Sequence, residues 1–100
     1  MVKLIAMYKK PQDTARFDDI YFNQHAPLAA QMPGLRRTEI SRVTGTLRGE
    51  DEYYLIASLY FDDAAAMKES MASDESRAAS RTLRDIGAEV SMLTADVEEL

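Results

Sequence analysis

Residues 53–61 read Tyr-Tyr-Leu-Ile-Ala-Ser-Leu-Tyr-Phe, a run that is apolar or aromatic on both sides of a strand. Side chains alternate across a strand, so Tyr53, Leu55, Ala57, Leu59 and Phe61 point one way. Tyr54, Ile56, Ser58 and Tyr60 point the other. Residues 2–8 behave alike, with Ile5 and Met7 opposed to Leu4, Ala6 and Tyr8. Two such strands belong in the middle of a sheet that is covered on both faces. A chain of 100 residues forms one domain, spanning residues 1–100, and its remaining helical segments can cover only one face. The other face would leave roughly several hundred Å² of apolar surface exposed, more than soluble monomers usually show. At about 25 cal/mol per Å², covering it is worth several kcal/mol. A second copy laid sheet against sheet with twofold symmetry is the simplest cover. The sequence therefore predicts a homodimer through the sheet face, against a monomer whose strand-end tyrosines reach water.

The remaining elements fall around these strands. Asp13 or Thr14 can cap a helix whose stripe is Phe17, Ile20, Tyr21, Gln24 and Leu28. Met32-Pro33-Gly34 ends it. Residues 35–47, rich in Thr, Ile and Val, read as a long strand at a sheet edge where its arginines meet water. Asp62 or Asp63 caps a short helix carrying Ala64, Met67 and Met71. Ser73 or Asp74 opens another, with Ala79, Leu83 and Ile86 inward and Gly87 as its stop. Residues 89–97 form a last strand. Strand, helix, strand, strand, helix pair, strand is the ferredoxin-like βαββαβ order, an α+β fold with its helices on one face of an antiparallel sheet.

Charge and composition narrow the partners. A net charge of −5 and a pI near 4.8 argue against nucleic acid or an anionic membrane. The absence of cysteine removes disulfides, thiolate nucleophiles and cysteine metal sites, and suits a cytoplasmic protein. The amino-terminal apolar run is too short to span a membrane and lacks the order of a signal peptide. No Gly-x-Gly-x-x-Gly, P-loop or cysteine pair marks a nucleotide or redox site, and no metal or cofactor is expected. A haem or flavin in the cleft, with His25 as axial ligand, is the residual cofactor reading.

His25, the only histidine, stands two residues before Pro27 inside the first helix. Pro27 lacks the amide that would reach the Asn23 carbonyl, and its ring crowds that carbonyl. The helix should therefore kink or restart, with Ala26 pushed toward extended geometry. Two roles follow for His25. It can donate to a carbonyl loosened in its own helix, or it can stand at the helix–sheet cleft as a proton-transfer group tuned by burial and tyrosine hydroxyls.

Met-Val-Lys-Leu-Ile-Ala-Met-Tyr-Lys-Lys-Pro, Phe-Asp-Asp-Ile-Tyr-Phe-Asn-Gln-His-Ala-Pro-Leu-Ala, Met-Pro-Gly-Leu-Arg-Arg and Tyr-Tyr-Leu-Ile-Ala-Ser-Leu-Tyr-Phe-Asp, in that order, resemble the EthD family. The resemblance covers most of the chain. It implies a dimeric α+β barrel in which two ferredoxin-like sheets close back to back. The family takes its name from bacterial degradation of ethyl tert-butyl ether, in a pathway built on a cytochrome P450 monooxygenase. Some members are labelled reductases, and the wider superfamily holds cofactor-free cyclases and isomerases. Where many EthD-like sequences carry an acidic residue in the third strand, this chain has Ser58.

Residues and resemblance together give a first expectation: cofactor-free proton transfer on a small apolar ketone, lactone, ether-derived or phenolic metabolite. His25 would carry the proton, and Tyr54 and Tyr60, placed on one face by strand parity, would stabilise a developing oxyanion. Tyr8, Phe17, Tyr21 and Leu28 would line the substrate site. A non-catalytic carrier serving a partner oxidase needs the same cleft and no base.

Overall fold

The two apolar runs lie side by side at the centre of a four-stranded antiparallel sheet. The computed structural model describes residues 1–100. Its chain order is β1 (Val2–Lys9), α1 (Thr14–Ile20), a π-helical turn (Tyr21–His25), α2 (Ala26–Ala29), β2 (Arg37–Arg42), β3 (Tyr53–Phe61), α3 (Ala64–Met71), α4 (Asp74–Thr82), a 3₁₀ turn (Leu83–Asp85) and β4 (Val90–Asp96). The sheet order β2-β3-β1-β4 makes the fold ferredoxin-like. The thinnest dimension is 16 Å, which is one layer of helices on one sheet.

Local chemistry sets the ends of most elements. Asp13, Asp63 and Ser73 each accept a bond from the amide three residues on, capping α1, α3 and α4. Gly87 follows the 3₁₀ turn at φ 74°, a left-handed geometry that glycine adopts without steric cost. β2 is shorter than the expected 35–47. Val43 N–H still reaches the Tyr54 carbonyl, but the regular ladder stops at the Arg42–Leu55 pair.

The sheet presents two different faces. Val2, Leu4, Ala6 and Tyr8 on β1 and Leu55, Ala57, Leu59 and Phe61 on β3 are buried beneath the helices. They pack with Phe17, Ile20, Tyr21, Met67 and Ile86. Ile5, Met7, Ile56 and Tyr60 lie on the opposite, uncovered face and are only half-buried.

Strand parity fails at one point. The β1–β3 register slips between Tyr8 and Lys9, so that Tyr8 faces Leu55 while Lys9 faces Tyr53. Tyr54 is the extra residue of this bulge, and a bulge re-aims its side chain. Tyr54 therefore turns to the helix side, meets the Phe17 ring edge-on at 5.2 Å and donates to Asp18 at 2.8 Å. Tyr60 keeps its parity and stays on the uncovered face, donating to Glu39 at 2.6 Å beside Lys3 and Arg37. The two tyrosines do not share a face.

The helix does not break at Pro27. Ala26 keeps helical angles, φ −60° and ψ −42°, rather than the extended geometry expected before proline. Its amide bonds to the Tyr21 carbonyl, five residues back. This wider turn moves the Asn23 carbonyl out of the proline's way and absorbs one extra residue. Downstream of it the inward stripe moves by one position. Gln24 and Leu28, expected inward, are exposed, Leu28 at 37%. His25 and Ala29 take their places.

Candidate functional site

Between the helices and the sheet lies a cavity of about 260 Å³, lined by 19 residues of which 15 are hydrophobic. Its floor comes from all four strands and its roof from α2 and α4. Ser76, Ala79, Ser80 and Leu83 recur at helical spacing along α4 and its 3₁₀ extension, so one face of that element forms much of the roof. Ala26, Ala29 and Ala30 complete it from the other helix. A methyl group in place of Leu28 at the shifted stripe position helps to keep this space open.

His25 stands in the cavity wall, 9% exposed. Its Nδ1 lies 2.9 Å from the Ala79 carbonyl and 2.8 Å from Thr82 Oγ1. Thr82 Oγ1 itself donates to that carbonyl at 2.6 Å. The carbonyl can only accept, so Nδ1 carries a proton and donates it there, with the Thr82 oxygen sharing it. Ala79 is free to accept because the Leu83 amide turns to Ser80 at the end of α4. His25 thus caps a carbonyl of α4, not one loosened in its own helix.

The second ring nitrogen, Nε2, has no bond within the chain, and the residue that carries it lines the cavity. Burial lowers the pKa of the imidazole, and the bond to Ala79 opposes that only in part. The neutral ring, with its lone pair on Nε2, is therefore favoured near neutral pH. The structural and chemical roles proposed for this residue do not compete, since each uses a different nitrogen.

Tyr21 leans on the imidazole, with centroids 5.2 Å apart, and Tyr8 meets Tyr21 edge-on at 5.4 Å. Both line the cavity. Burial pushes the Tyr21 hydroxyl up to about 12 and raises that of Tyr8 further, so both remain protonated donors. Phe17, fully buried, does not touch the cavity; it stacks on Tyr21 at 5.6 Å and backs Tyr8 at 5.5 Å. Leu28 also lies off the cavity, because the π-turn rotates it outward. Tyr60 is absent from the lining because it sits on the uncovered face, and Tyr54, though on the helix side, packs instead against Phe17 and Asp18 at the start of β3. Their hydroxyl pKa values are raised chiefly by hydrogen bonds to Asp18 and Glu39 respectively.

The structure therefore gathers His25, Tyr8 and Tyr21 at the cavity, packs Phe17 behind the two tyrosines, and leaves Tyr54, Tyr60 and Leu28 off the lining. Thr82 and the Ala79 carbonyl were not legible beforehand. They lie more than fifty residues from His25, and no spacing rule links them. No group of three or more His, Asp or Glu side chains converges as metal ligands. No helix is long and apolar enough to cross a membrane.

A one-sided ferredoxin-like sheet roofed by helices, with one buried imidazole opening on an apolar cavity, defines the class of protein. The EthD domain matches residues 9–94, and the chain belongs to that family. It is 29% identical over 99 residues to an uncharacterised 11.0 kDa protein of the thcB-thcC intergenic region of Rhodococcus erythropolis, covering 98% of this chain and 96% of that protein. A crystal structure of an EthD family protein from Bacillus halodurans superposes with a TM-score of 0.90 at 35% identity, covering 98% of this chain and 99% of that one. SnoaB, a cofactor-independent oxygenase from Streptomyces nogalater, shares the fold at TM-score 0.70 and 18% identity, over 99% and 94% of the two chains.

Proposed function

We propose that the protein binds a small apolar ketone, lactone, ether-derived or phenolic compound in this cavity and moves a proton to and from it without a cofactor. One observation carries the reading: Nδ1 of a buried His25 in the wall of an apolar cavity is held by Ala79 and Thr82, while Nε2 has no bond within the chain. Such a group is fixed in tautomer and orientation, which a general base requires. A placed base of this kind contributes on the order of 10²–10⁴-fold. Tyr8 and Tyr21, protonated and beside the ring, are the donors available to a developing enolate oxygen. Chemistry without a cofactor is known on this fold from the Streptomyces oxygenase, which supports an enzymatic reading at the level of the fold.

A second reading, a non-catalytic carrier for a monooxygenase pathway, is favoured by the 15 hydrophobic residues of the lining. The two separate by experiment. Candidate ketones are titrated into wild type and His25→Asn, which keeps a donor near Nδ1, and exchange of their α-protons in D₂O is followed by NMR. Proton transfer predicts exchange in the wild type, lost roughly a hundredfold in the variant while affinity stays. Equal affinity with no exchange in either protein identifies a carrier.

The working unit we propose is a cytoplasmic homodimer through the uncovered sheet face. Ile5, Met7, Ile56 and Leu93 supply the apolar centre that a second copy would bury. Sedimentation as a single chain at micromolar concentration would rule it out.

A further inference from the structure

The floor of the cavity has a direction. Ile40, Ala57, Ala6 and Met92 are register partners across the four strands, and together they form one row perpendicular to the strands. All four line the cavity. The two central members are alanines. Larger side chains flank them: Leu59 and Leu4 on the row to one side, Leu55 and Tyr8 on the row to the other. The row is thus a trench cut across the sheet. Its ends reach the surface, since Ile40 is 36% and Met92 53% exposed.

Strands stand about 4.8 Å apart, so the trench runs roughly 14 Å from β2 to β4. A trench one residue row wide favours a molecule one chain or one flat ring thick over a globular one. Ala26, Ala29, Ala79 and Ser80 supply small side chains to the roof above it.

We infer that the site is a transverse slot for slender, elongated apolar carbonyl compounds, with Ala6 and Ala57 as the residues that set its depth. The inference rests on the proposed proton transfer only for the carbon beside the carbonyl, whose C–H must reach His25 Nε2 while the oxygen takes a bond from Tyr8 or Tyr21. The slot itself stands on the register of the floor. An extended ligand lies across the strands with the carbon beside its carbonyl under the imidazole and its apolar ends toward Ile40 and Met92. Compounds of equal size but rounded shape are excluded by the Leu59–Leu4 pair on one side and Tyr8 on the other.

The test pairs 2-decanone with 2-adamantanone, which have the same number of heavy atoms and differ in shape. Calorimetric titration of the wild type should show 2-decanone binding tighter by roughly tenfold or more. Ala57→Leu and Ala6→Val, each confirmed as folded by circular dichroism, should weaken 2-decanone by a similar factor. Tyr60→Phe, on the opposite face of the sheet, should keep its affinity within about threefold. Equal binding of the two ketones, binding of neither, or unchanged affinity in both folded alanine variants overturns the slot. Because the ketone comparison uses the wild type, an unfolded variant does not remove the test. Shape discrimination without α-proton exchange in D₂O would instead overturn proton transfer and leave the slot intact.

Discussion

Filling the trench should stabilise the protein, and the sign of that effect is diagnostic. Ala57 sits at the centre of the sheet, 2% exposed, with its methyl in the cavity floor. Ala57→Leu adds three carbons to that space. At about 0.8 kcal/mol per buried methylene, the transfer contributes roughly 2.4 kcal/mol. Fixing the leucine rotamer costs about 0.5–1 kcal/mol. The net gain is about 1.5 kcal/mol, which in a domain of this length raises Tm by roughly 6–12 °C. The same substitution in a filled core costs about 1–3 kcal/mol. Thermal melts followed by circular dichroism, at one fixed protomer concentration, separate the two cases. A melting point lowered by several degrees would refute an open trench beneath α2 and α4. The expected variant is more stable and loses the ligand, since the space that binds is also the space left unpacked.

Further outcomes follow from the same geometry. The pKa of His25 is depressed by burial, so the unfolded chain binds more protons than the native one just below the ordinary histidine value near 6.5. The native state should therefore lose stability as pH falls from about 6.5 toward the folded-state value, and His25→Asn should flatten that slope in chemical denaturation series. Thr82→Val removes the hydroxyl that shares the Nδ1 proton, and should cost about 1 kcal/mol in the same assay while leaving Ala79 to hold the ring. Tyr54→Phe and Tyr60→Phe, both off the cavity, should leave exchange rates within about twofold, whereas Tyr21→Phe should lower them by roughly tenfold or more. Ser73→Ala removes the cap of α4 and should lower stability by about 1 kcal/mol without changing ligand affinity.

Much of this architecture is readable from local pattern. The double-sided alternation of residues 53–61 places β3 with its observed ends and marks β1 and β3 as central. Asp63, Ser73 and Gly87 act at the helix ends because capping is a matter of neighbouring residues. The site is less readable, for two reasons of register. Period-3.6 counting assumes one hydrogen-bond pattern along the helix, and the five-residue return from Ala26 to Tyr21 breaks it. That break is what replaces Leu28 by Ala29 in the roof. Period-2 counting likewise assumes an unbroken ladder, and the slip at Tyr8 and Lys9 turns Tyr54 away from Tyr60. Pro27 signalled that something must give in the helix, but the amount it gave depends on packing against α4. The Thr82 and Ala79 contacts are tertiary and carry no sequence spacing at all.

The wide turn at Tyr21–His25 also makes an unusual claim about insertions and deletions. An α-helix advances about 100° per residue, so losing a residue normally swings everything after it off its face. Here the surplus residue is already accommodated, and the faces before and after it are in phase only because of it. Removing solvent-exposed Gln24 should let the segment close into ordinary α geometry with Phe17, Tyr21, His25 and Ala29 still pointing inward. Relatives one residue shorter between Ile20 and His25 should therefore carry the same imidazole over the same trench, and a gap at this place in an alignment marks kinship of the site rather than its loss.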